Sequence, residues 1–227
     1  MTAGRGHGHM QDEVERIYAA RFSSKERERV ILWETLTTHF FQQFVREDDV
    51  VLDLAAGYCQ FINAVRCGRK IAIDLNPTAA KMAAPGVEVF CTKSTELPPE
   101  LSETADVVFV SNFFEHLRNK EEFFATLSEI RRILKPGGRV LVLQPNIRLT
   151  KEAYWDFIDH TLPLTEKSLF EALELSGFER VYEKVRFLPY TANGRLPVSR
   201  MLIRLYLAFP PVQWLLGKQT FVVAKKL

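Results

Sequence analysis

The chain has 227 residues, 47% of them hydrophobic, which is enough to bury one large core without division into several domains. Its 30 Lys and Arg nearly balance 28 Asp and Glu, and a net charge of +2 gives no electrostatic reason to expect a nucleic-acid partner. The three cysteines contain no C-x-x-C pair, which disfavours a disulfide framework and a zinc site. We therefore expect a protein of the reducing cytoplasm.

The first residues form a Gly-rich stretch without the apolar run of a signal peptide, and we expect residues 1–12 to be a flexible arm. Residues 13–46 alternate charged and apolar positions at helical spacing, which predicts lead-in helices. We expect residues 13–227 to form a single domain that begins with these helices.

Five apolar runs follow, separated by helical stretches such as 121–134. This alternation predicts a parallel, doubly wound α/β sheet. Two later runs predict a closing antiparallel hairpin at the edge, which gives seven strands. A helix is predicted between the fifth strand and this hairpin. Thr165 has the position of its N-cap, and the helix ends near Gly177. The predicted strands are 50–54, 70–74, 87–91, 107–111, 139–144, 180–188 and 219–224.

The first strand ends in Asp53 and a turn that contains Ala55 and Gly57, and the second ends in Asp74. Asp74 follows the turn at roughly the spacing of an acid that hydrogen-bonds ribose hydroxyls. Asp53 at the mouth of the turn would repel a pyrophosphate, which disfavours a dinucleotide. A ligand with adenosine at one end and a cationic amino acid at the other suits both acids. We therefore predict S-adenosylmethionine, with Leu75 and Asn76 beside its ribose and adenine.

Further motifs carry a family resemblance. They are the turn 53–59, Asp74, the sequence SNFFEHL at 111–117 and LKPGGR at 134–139. In this order and spacing they resemble the class I S-adenosylmethionine-dependent methyltransferases, whose fold is Rossmann-like. The resemblance implies that Ser111, Asn112 and Phe113 contact the cofactor and face the transferred methyl group. Two departures are visible. Ala55 and Cys59 replace common glycines of the turn, and Lys93–Ser94 replaces a common Asp, so that Ser94 or the backbone would recognise adenine.

Two histidines are candidates for catalysis. His116 follows the fourth strand, in a turn that borders the sulfonium in relatives. His160 follows the fifth strand in an aromatic-rich segment. An imidazole beside a carboxylate can take the proton of a hydroxyl group as that group is methylated. We predict His160 as the acceptor-side base, oriented by Asp159 or Asp156. The alternative is a structural histidine paired with one of these acids. No metal site is recognisable from residue spacing.

The acceptor side is predicted to come from residues 147–217. Within them the insertion 189–217 is apolar and basic but too short and interrupted to span a bilayer. It could lie on a membrane surface, line an acceptor pocket, pack on the sheet edge or mediate a homodimer. If it meets lipid, we expect contacts from Arg200 and Arg204 together with Ile203, Tyr206 and Trp214. At the other end of the chain, Tyr18 and Arg21 are predicted to fold over the cofactor carboxylate.

These observations predict an enzyme that transfers a methyl group to an oxygen atom of a small-molecule, sugar or glycolipid-like acceptor. Transfer to nitrogen is less favoured. Two alternatives remain open: a catalytically inactive, cofactor-binding scaffold, and a nicotinamide-dependent oxidoreductase, which the first turn disfavours. A working methyltransferase would release S-adenosylhomocysteine, whereas a scaffold would turn nothing over.

Overall fold

A computed structural model describes residues 26–190 and 198–227. The predicted arm 1–12 and the candidate lid residues Tyr18 and Arg21 lie outside these ranges. Eight α-helices are present in the described part of the chain: α1 (Glu26–His39), α2 (Gln60–Ala64), α3 (Ala79–Met82), α4 (Lys120–Ile133), α5 (Ile147–Thr150), α6 (Glu166–Leu175), α7 (Arg200–Ala208) and α8 (Pro210–Leu216). Seven strands form the sheet: β1 (Val50–Leu54), β2 (Arg69–Asp74), β3 (Val87–Cys91), β4 (Ala105–Ser111), β5 (Leu134–Pro145), β6 (Phe178–Lys184) and β7 (Gln219–Lys226).

The strands lie in one sheet in the order β3-β2-β1-β4-β5-β7-β6. Strand β7 is antiparallel to both of its neighbours, and the other pairs are parallel. The order reverses between β1 and β4, which is the switch point where doubly wound sheets bind ligands. The predicted fold class, with its closing antiparallel hairpin, is confirmed.

The apolar runs form strands because alternate residues enter opposite sides of the sheet. Val107 and Phe109 pack with helices α1, α2 and α7, whereas Val108 and Val110 pack with α4 and α6. A ring stack between Phe61 and Phe109, 3.8 Å between centroids, ties α2 to β4. Burial on both sides makes β4 a rigid support for whatever follows Ser111.

The helix boundaries follow local capping signals. Thr165 accepts the backbone N–H of Ser168, and the Ser168 hydroxyl bonds back to the Thr165 N–H, a capping box that begins α6 as predicted. The helix ends at Leu175 with Ser176 as its C-cap, and Gly177 adopts φ +79°, a left-handed conformation that suits glycine. The predicted strand 180–188 is shifted, because β6 spans Phe178–Lys184.

The insertion 189–217 contains α7 and α8 in its described part. Neither these helices nor the others in residues 26–190 and 198–227 combine the length and apolar character that crossing a membrane requires. Helix α7 packs against α1, since Ile203 is buried and Arg200 forms an ion pair of 2.7 Å with Glu34. The insertion thus covers one face of the sheet and joins the lead-in helix.

Candidate functional site

The turn after β1 contains three residues in the left-handed backbone conformation within five positions. Ala55, Gly57 and Cys59 have φ values of 58°, 54° and 57°. Only the middle position is occupied by glycine, the residue that adopts this conformation without steric cost. The backbone geometry of a glycine-rich turn is therefore kept although two of its residues carry a Cβ atom.

Two buried carboxylates flank this turn. Asp53 lies near the centre of the sheet, and Asp74 lies at the end of β2. Asp53 is 4% exposed and Asp74 is 6% exposed. Burial raises the pKa of Asp53 well above its usual range, the negative charge of Asp74 raises it further, and the Ile62 N–H lowers it. Burial also raises the pKa of Asp74, against hydrogen bonds from the backbone N–H groups of Asn76 and Gly57. A cationic ligand beside this pair would stabilise both carboxylates.

Asp74 connects the turn to the end of β2. Its Oδ2 accepts the Gly57 N–H at 2.7 Å, and its Oδ1 accepts the Asn76 N–H at 2.7 Å. Each carboxylate oxygen has a second lone pair, so two further donors such as ribose hydroxyls can be accepted. The Asn76 Oδ1 in turn accepts the N–H of Thr78 at the start of α3, which fixes the segment that contains Leu75. These contacts fit the adenosine end of S-adenosylmethionine.

Cys59 and Ser94 lie at the border of this region. Burial raises the pKa of the Cys59 thiol to about 12, with further contributions from the charges of Asp53 and Asp74, so the thiol stays protonated at neutral pH. The Ser94 hydroxyl lies 2.8 Å from the hydroxyl of Thr126 on α4. Recognition of adenine by Ser94 remains a prediction. The hydrogen bond to Thr126 shows that the Ser94 hydroxyl also contacts α4.

The end of β4 forms the third side of the switch point. Asn112 has φ 48°, its N–H donates to the Leu143 carbonyl at 2.8 Å, and its side chain donates to the Ser111 hydroxyl at 2.9 Å. Phe113 follows and leads into a short 3-10 turn, Phe114–His116. The chain therefore reverses sharply at the carboxyl edge of the sheet, directly beside the turn that follows β1.

Glu115, His116 and His160 come together at this edge. A ligand-type atom of each lies within 4.8 Å of the others. The two imidazole rings are 5.0 Å apart between centroids, and His116 Nε2 lies 4.0 Å from Glu115 Oε1. Glu115 is 1% exposed, and its Oε2 has no hydrogen-bond partner in the described part of the chain. Burial raises the pKa of Glu115 despite the nearby His116 and the adjoining Gln144.

Asp159 and His160 each have a close partner that the sequence did not point to. Asp159, expected to orient His160, places Oδ2 3.1 Å from Nδ1 of His116, and its backbone carbonyl lies 3.2 Å from the same nitrogen. For His160, the Tyr190 hydroxyl lies 3.2 Å from Nδ1, and the Phe157 ring stacks on the imidazole. Burial lowers the pKa of His116, but the bond to Asp159 and the charge of Glu115 raise it above its usual value overall.

The backbone holds the two halves of the cluster together. The Glu115 carbonyl accepts the N–H groups of Thr161 and Leu162 at 2.8 and 3.1 Å. The Thr161 hydroxyl donates to the Leu117 carbonyl at 2.6 Å, and the buried Tyr154 hydroxyl donates to the Leu162 carbonyl at 2.7 Å. His160 is therefore fixed beside the end of β4 although it lies 44 positions after His116.

Tyr190 has no role in the sequence-based predictions, and Glu115 enters them only as part of the turn with His116 that borders the sulfonium in relatives. Glu115 belongs to the quoted SNFFEHL motif, so its position was available, but nothing in the sequence indicates that its carboxylate is buried without a partner. Tyr190 lies in the insertion, 30 positions after His160. Only the path of the chain around the sheet edge brings it to the imidazole.

Comparisons with known proteins agree with this geometry. The family profile described as "Methyltransferase domain" matches residues 52–142. An uncharacterised protein of Methanocaldococcus jannaschii is 31% identical over 63% of this chain and 61% of its own length. The ubiquinone/menaquinone biosynthesis C-methyltransferase UbiE of Neisseria gonorrhoeae is 28% identical over 70% of this chain and 67% of its own. The chain thus spans about two thirds or less of the length of these relatives.

Solved structures share the fold. A Haloferax volcanii methyltransferase in complex with the Trm112 methyltransferase activator has a TM-score of 0.67 at 19% identity, over 92% of this chain and 96% of its own. An S-adenosylmethionine-dependent methyltransferase of Archaeoglobus fulgidus has a TM-score of 0.63 at 20% identity, over 89% of this chain and 97% of its own. Residues 52–142 thus match a methyltransferase domain, the described chain has the fold of solved S-adenosylmethionine-dependent methyltransferases, and the left-handed turn with its paired acids fits S-adenosylmethionine as the cofactor.

Proposed function

We propose that this protein transfers the methyl group of S-adenosylmethionine to a hydroxyl oxygen of a small-molecule, sugar or glycolipid-like acceptor. The observation that carries the proposal is the cluster of Glu115, His116 and His160 beside the end of β4. Methyl transfer to a neutral hydroxyl requires loss of its proton, and imidazole groups are suited to assist this step near neutral pH.

The bound cofactor supplies an electrophilic methyl carbon on a sulfonium, which is already a good leaving group. The protein mainly supplies alignment and proton removal. In the proposal, Asp74 holds the ribose, Asp53 lies toward the cationic methionine end, and Ser111 to Phe113 border the methyl group. His160 receives the acceptor proton, and His116 lies between it and the cofactor. Tyr18 and Arg21 remain predicted lid residues.

Transfer to carbon is a second candidate. It is favoured by the relatives named as C-methyltransferases of ubiquinone and menaquinone biosynthesis, which are 28% identical. A ring carbon next to a hydroxyl becomes nucleophilic when that hydroxyl loses its proton, so the same histidine cluster would assist. The position of the methyl group in the product separates the two candidates.

An exposed apolar surface on α7 and α8 supports an acceptor presented by a membrane. Leu205 is 58% exposed and Trp214 is 68% exposed, and the surface also includes Met201, Leu202, Phe209, Leu215 and Leu216. Residues 198–218 contain no Asp or Glu. Apolar surfaces with basic borders bind the headgroup region of anionic bilayers.

Basic residues lie next to this apolar surface. The Arg186 guanidinium lies over the Trp214 ring at 5.4 Å, and a neighbouring depression is lined by Arg186, Arg148, Lys151 and Lys218. Two residues expected to face lipid do not, because Ile203 is buried and the Tyr206 hydroxyl donates to the Phe187 carbonyl. The surface that we propose for membrane contact is therefore the opposite face of α7 together with α8.

The reaction is tested with the purified full chain, S-adenosylmethionine labelled in its methyl group, and panels of hydroxylated aromatic compounds and glycosides. We expect release of S-adenosylhomocysteine and a methyl ether in the product by NMR. His160→Gln should lower turnover by roughly 10²–10⁴ while leaving cofactor affinity within a few fold. Glu152→Gln, in the same segment but exposed, is the control. A carbon-linked methyl group would favour the second candidate, and cofactor binding without any turnover would favour a scaffold.

Membrane contact is tested by co-sedimentation with vesicles that contain phosphatidylserine, at low salt. Leu205→Glu should reduce binding, because it puts a charge on the proposed surface. Leu175→Glu is the matched control, since Leu175 is 73% exposed but lies on α6. Equal losses in both variants, or no binding by the unmodified chain, would contradict a lipid-facing role of α7 and α8.

A further inference from the structure

We infer that Glu115, His116 and His160 form a binding site for one divalent transition-metal ion of the zinc type. Two imidazoles and one carboxylate are the donor set of several three-ligand zinc sites in proteins. These side chains lie at the edge of the sheet where the acceptor would enter.

The distances require only a small contraction. In a tetrahedral site with metal–ligand bonds of about 2.0–2.1 Å, the ligand atoms are about 3.3 Å apart. Here they lie within 4.8 Å of one another, and His116 Nε2 is 4.0 Å from Glu115 Oε1. Compared with these values, the ligand atoms would have to approach one another by about 0.7–1.5 Å on binding an ion.

His116 is oriented as metal-binding histidines commonly are. Its Nδ1 faces the Asp159 carboxylate at 3.1 Å, which favours a proton on Nδ1 and leaves the Nε2 lone pair on the side of Glu115. A carboxylate behind a ligating imidazole fixes the tautomer and strengthens the ligand. Asp159 is therefore a positioning residue for His116 in this site.

Glu115 supplies the second observation that points to a ligand. Its carboxylate is buried, with Oε2 unpartnered by strict geometry in the described residues, although the adjoining Gln144 side chain lies close enough to lower the pKa of Glu115 by hydrogen bonding, against the larger effect of burial. Buried polar atoms in folded proteins are nearly always partnered, and an ion or a water molecule is the usual explanation for exceptions. A divalent cation would satisfy this carboxylate directly.

Three protein ligands leave at least one coordination position open, as in catalytic zinc sites. Imidazole ligands favour zinc or cobalt over magnesium. In a role that rests on the proposed function, the open position takes the acceptor hydroxyl and lowers its pKa. The acceptor oxygen then loses its proton to solvent and bonds to the methyl carbon, while the carbon–sulfur bond breaks and its electrons remain on sulfur. With the ion bound, His160 is a ligand and no longer the direct proton acceptor of the proposed function, while the rest of that function is unchanged.

The test uses the full chain stripped with a chelator. His7 and His9, two histidines of the Gly-rich stretch 1–12, are both replaced by Ala so that they bind no metal. Co²⁺ and Zn²⁺ are titrated separately, followed by calorimetry and by the visible absorption of bound Co²⁺. We expect one ion per chain and little binding of Mg²⁺. Glu115→Gln and His160→Gln should each weaken Co²⁺ binding by more than tenfold, and Asp159→Asn by roughly 10–100-fold. His39→Gln, an exposed histidine at the end of α1, is the control.

Circular dichroism and thermal melting establish that each variant is folded. Absence of stoichiometric Co²⁺ binding, or binding that Glu115→Gln and His160→Gln leave unchanged, would overturn the site. Because binding is measured without cofactor or acceptor, this result is independent of the reaction. Turnover that persists in chelator would then leave the His160 imidazole as the direct base. Intact metal binding without turnover on any acceptor would instead count against the proposed function.

Discussion

Replacement of Ala55 by glycine should stabilise this protein, although the same change destabilises most sites. Ala55 has φ 58°, and a residue with a Cβ atom pays about 1–2 kcal/mol for a left-handed conformation. Glycine removes this strain but adds unfolded-state entropy of about 0.5–1 kcal/mol. Ala55 is only half-buried, so loss of its methyl group adds little. We expect a net gain of about 0.5–1 kcal/mol.

The assay is urea unfolding of Ala55→Gly beside Ala125→Gly as the matched control. Ala125 is exposed within α4, where the same change should cost about 0.8–1.0 kcal/mol. The stabilities of the two variants should therefore change in opposite directions. For a domain of this size, each kcal/mol corresponds to a shift of about 2–4 °C in Tm. If Ala55→Gly destabilises as much as Ala125→Gly, the left-handed turn is not strained and our account of it is wrong.

Two Asp-to-Asn changes should have opposite effects at neutral pH. Asp53→Asn should raise the free energy of unfolding by roughly 0.5–2 kcal/mol. Burial and the charge of Asp74 raise the pKa of Asp53, so the gain should shrink as pH falls toward the ordinary value of 3.8. Asp106→Asn should lower stability by about 1–2 kcal/mol, because Asp106 accepts the Val50 N–H and pairs with Lys135. Although burial alone would raise the pKa of Asp106, these partners lower it overall, so its contribution should be complete above pH 3.8 and lost as pH falls through the lower folded-state pKa. Urea titrations across this pH range check both expectations.

The sheet could be predicted because its strands are apolar runs with strong local signals. The strand 50–54 was predicted with its correct bounds, and the capping residues Thr165 and Ser168 lie in the first turn of α6 as expected. The strand of 139–144 was predicted too short, because β5 begins at Leu134 and includes the glycines of LKPGG. Local patterns therefore indicate the existence of an element better than its ends.

The side-chain pairings of the site could not be predicted in the same way. His116 and His160 were both singled out, but the partner that the structure shows for Asp159 is His116. Proximity in sequence suggested the other pairing, since Asp159 directly precedes His160. Hydrogen bonds of Thr161 to Glu115 and Leu117 bring the segment 157–160 against the end of β4, where the Asp159 carboxylate meets His116.

The insertion shows the same limit. Its composition indicated an apolar contact, yet the faces of α7 depend on where α1 lies. Ile203 packs inward against that helix, and Leu205 is left exposed. A single sequence contains no information on the packing angle between two helices so far apart.

The central claim is that Asp74 holds the cofactor at the carboxyl edge of the sheet. It is tested most directly by calorimetric titration of S-adenosylhomocysteine into the full chain, Asp74→Asn and Asp106→Asn. Asp106 is the matched acid, since it also accepts a backbone N–H but lies at the opposite end of the strands. Loss of one charge-assisted hydrogen bond, about 1.5–3 kcal/mol, should weaken binding roughly ten- to hundredfold in Asp74→Asn. Asp106→Asn should bind as the unmodified chain does, and NAD should bind to none of the three. Equal affinity of the Asp74 and Asp106 variants, or binding of NAD, would contradict the account.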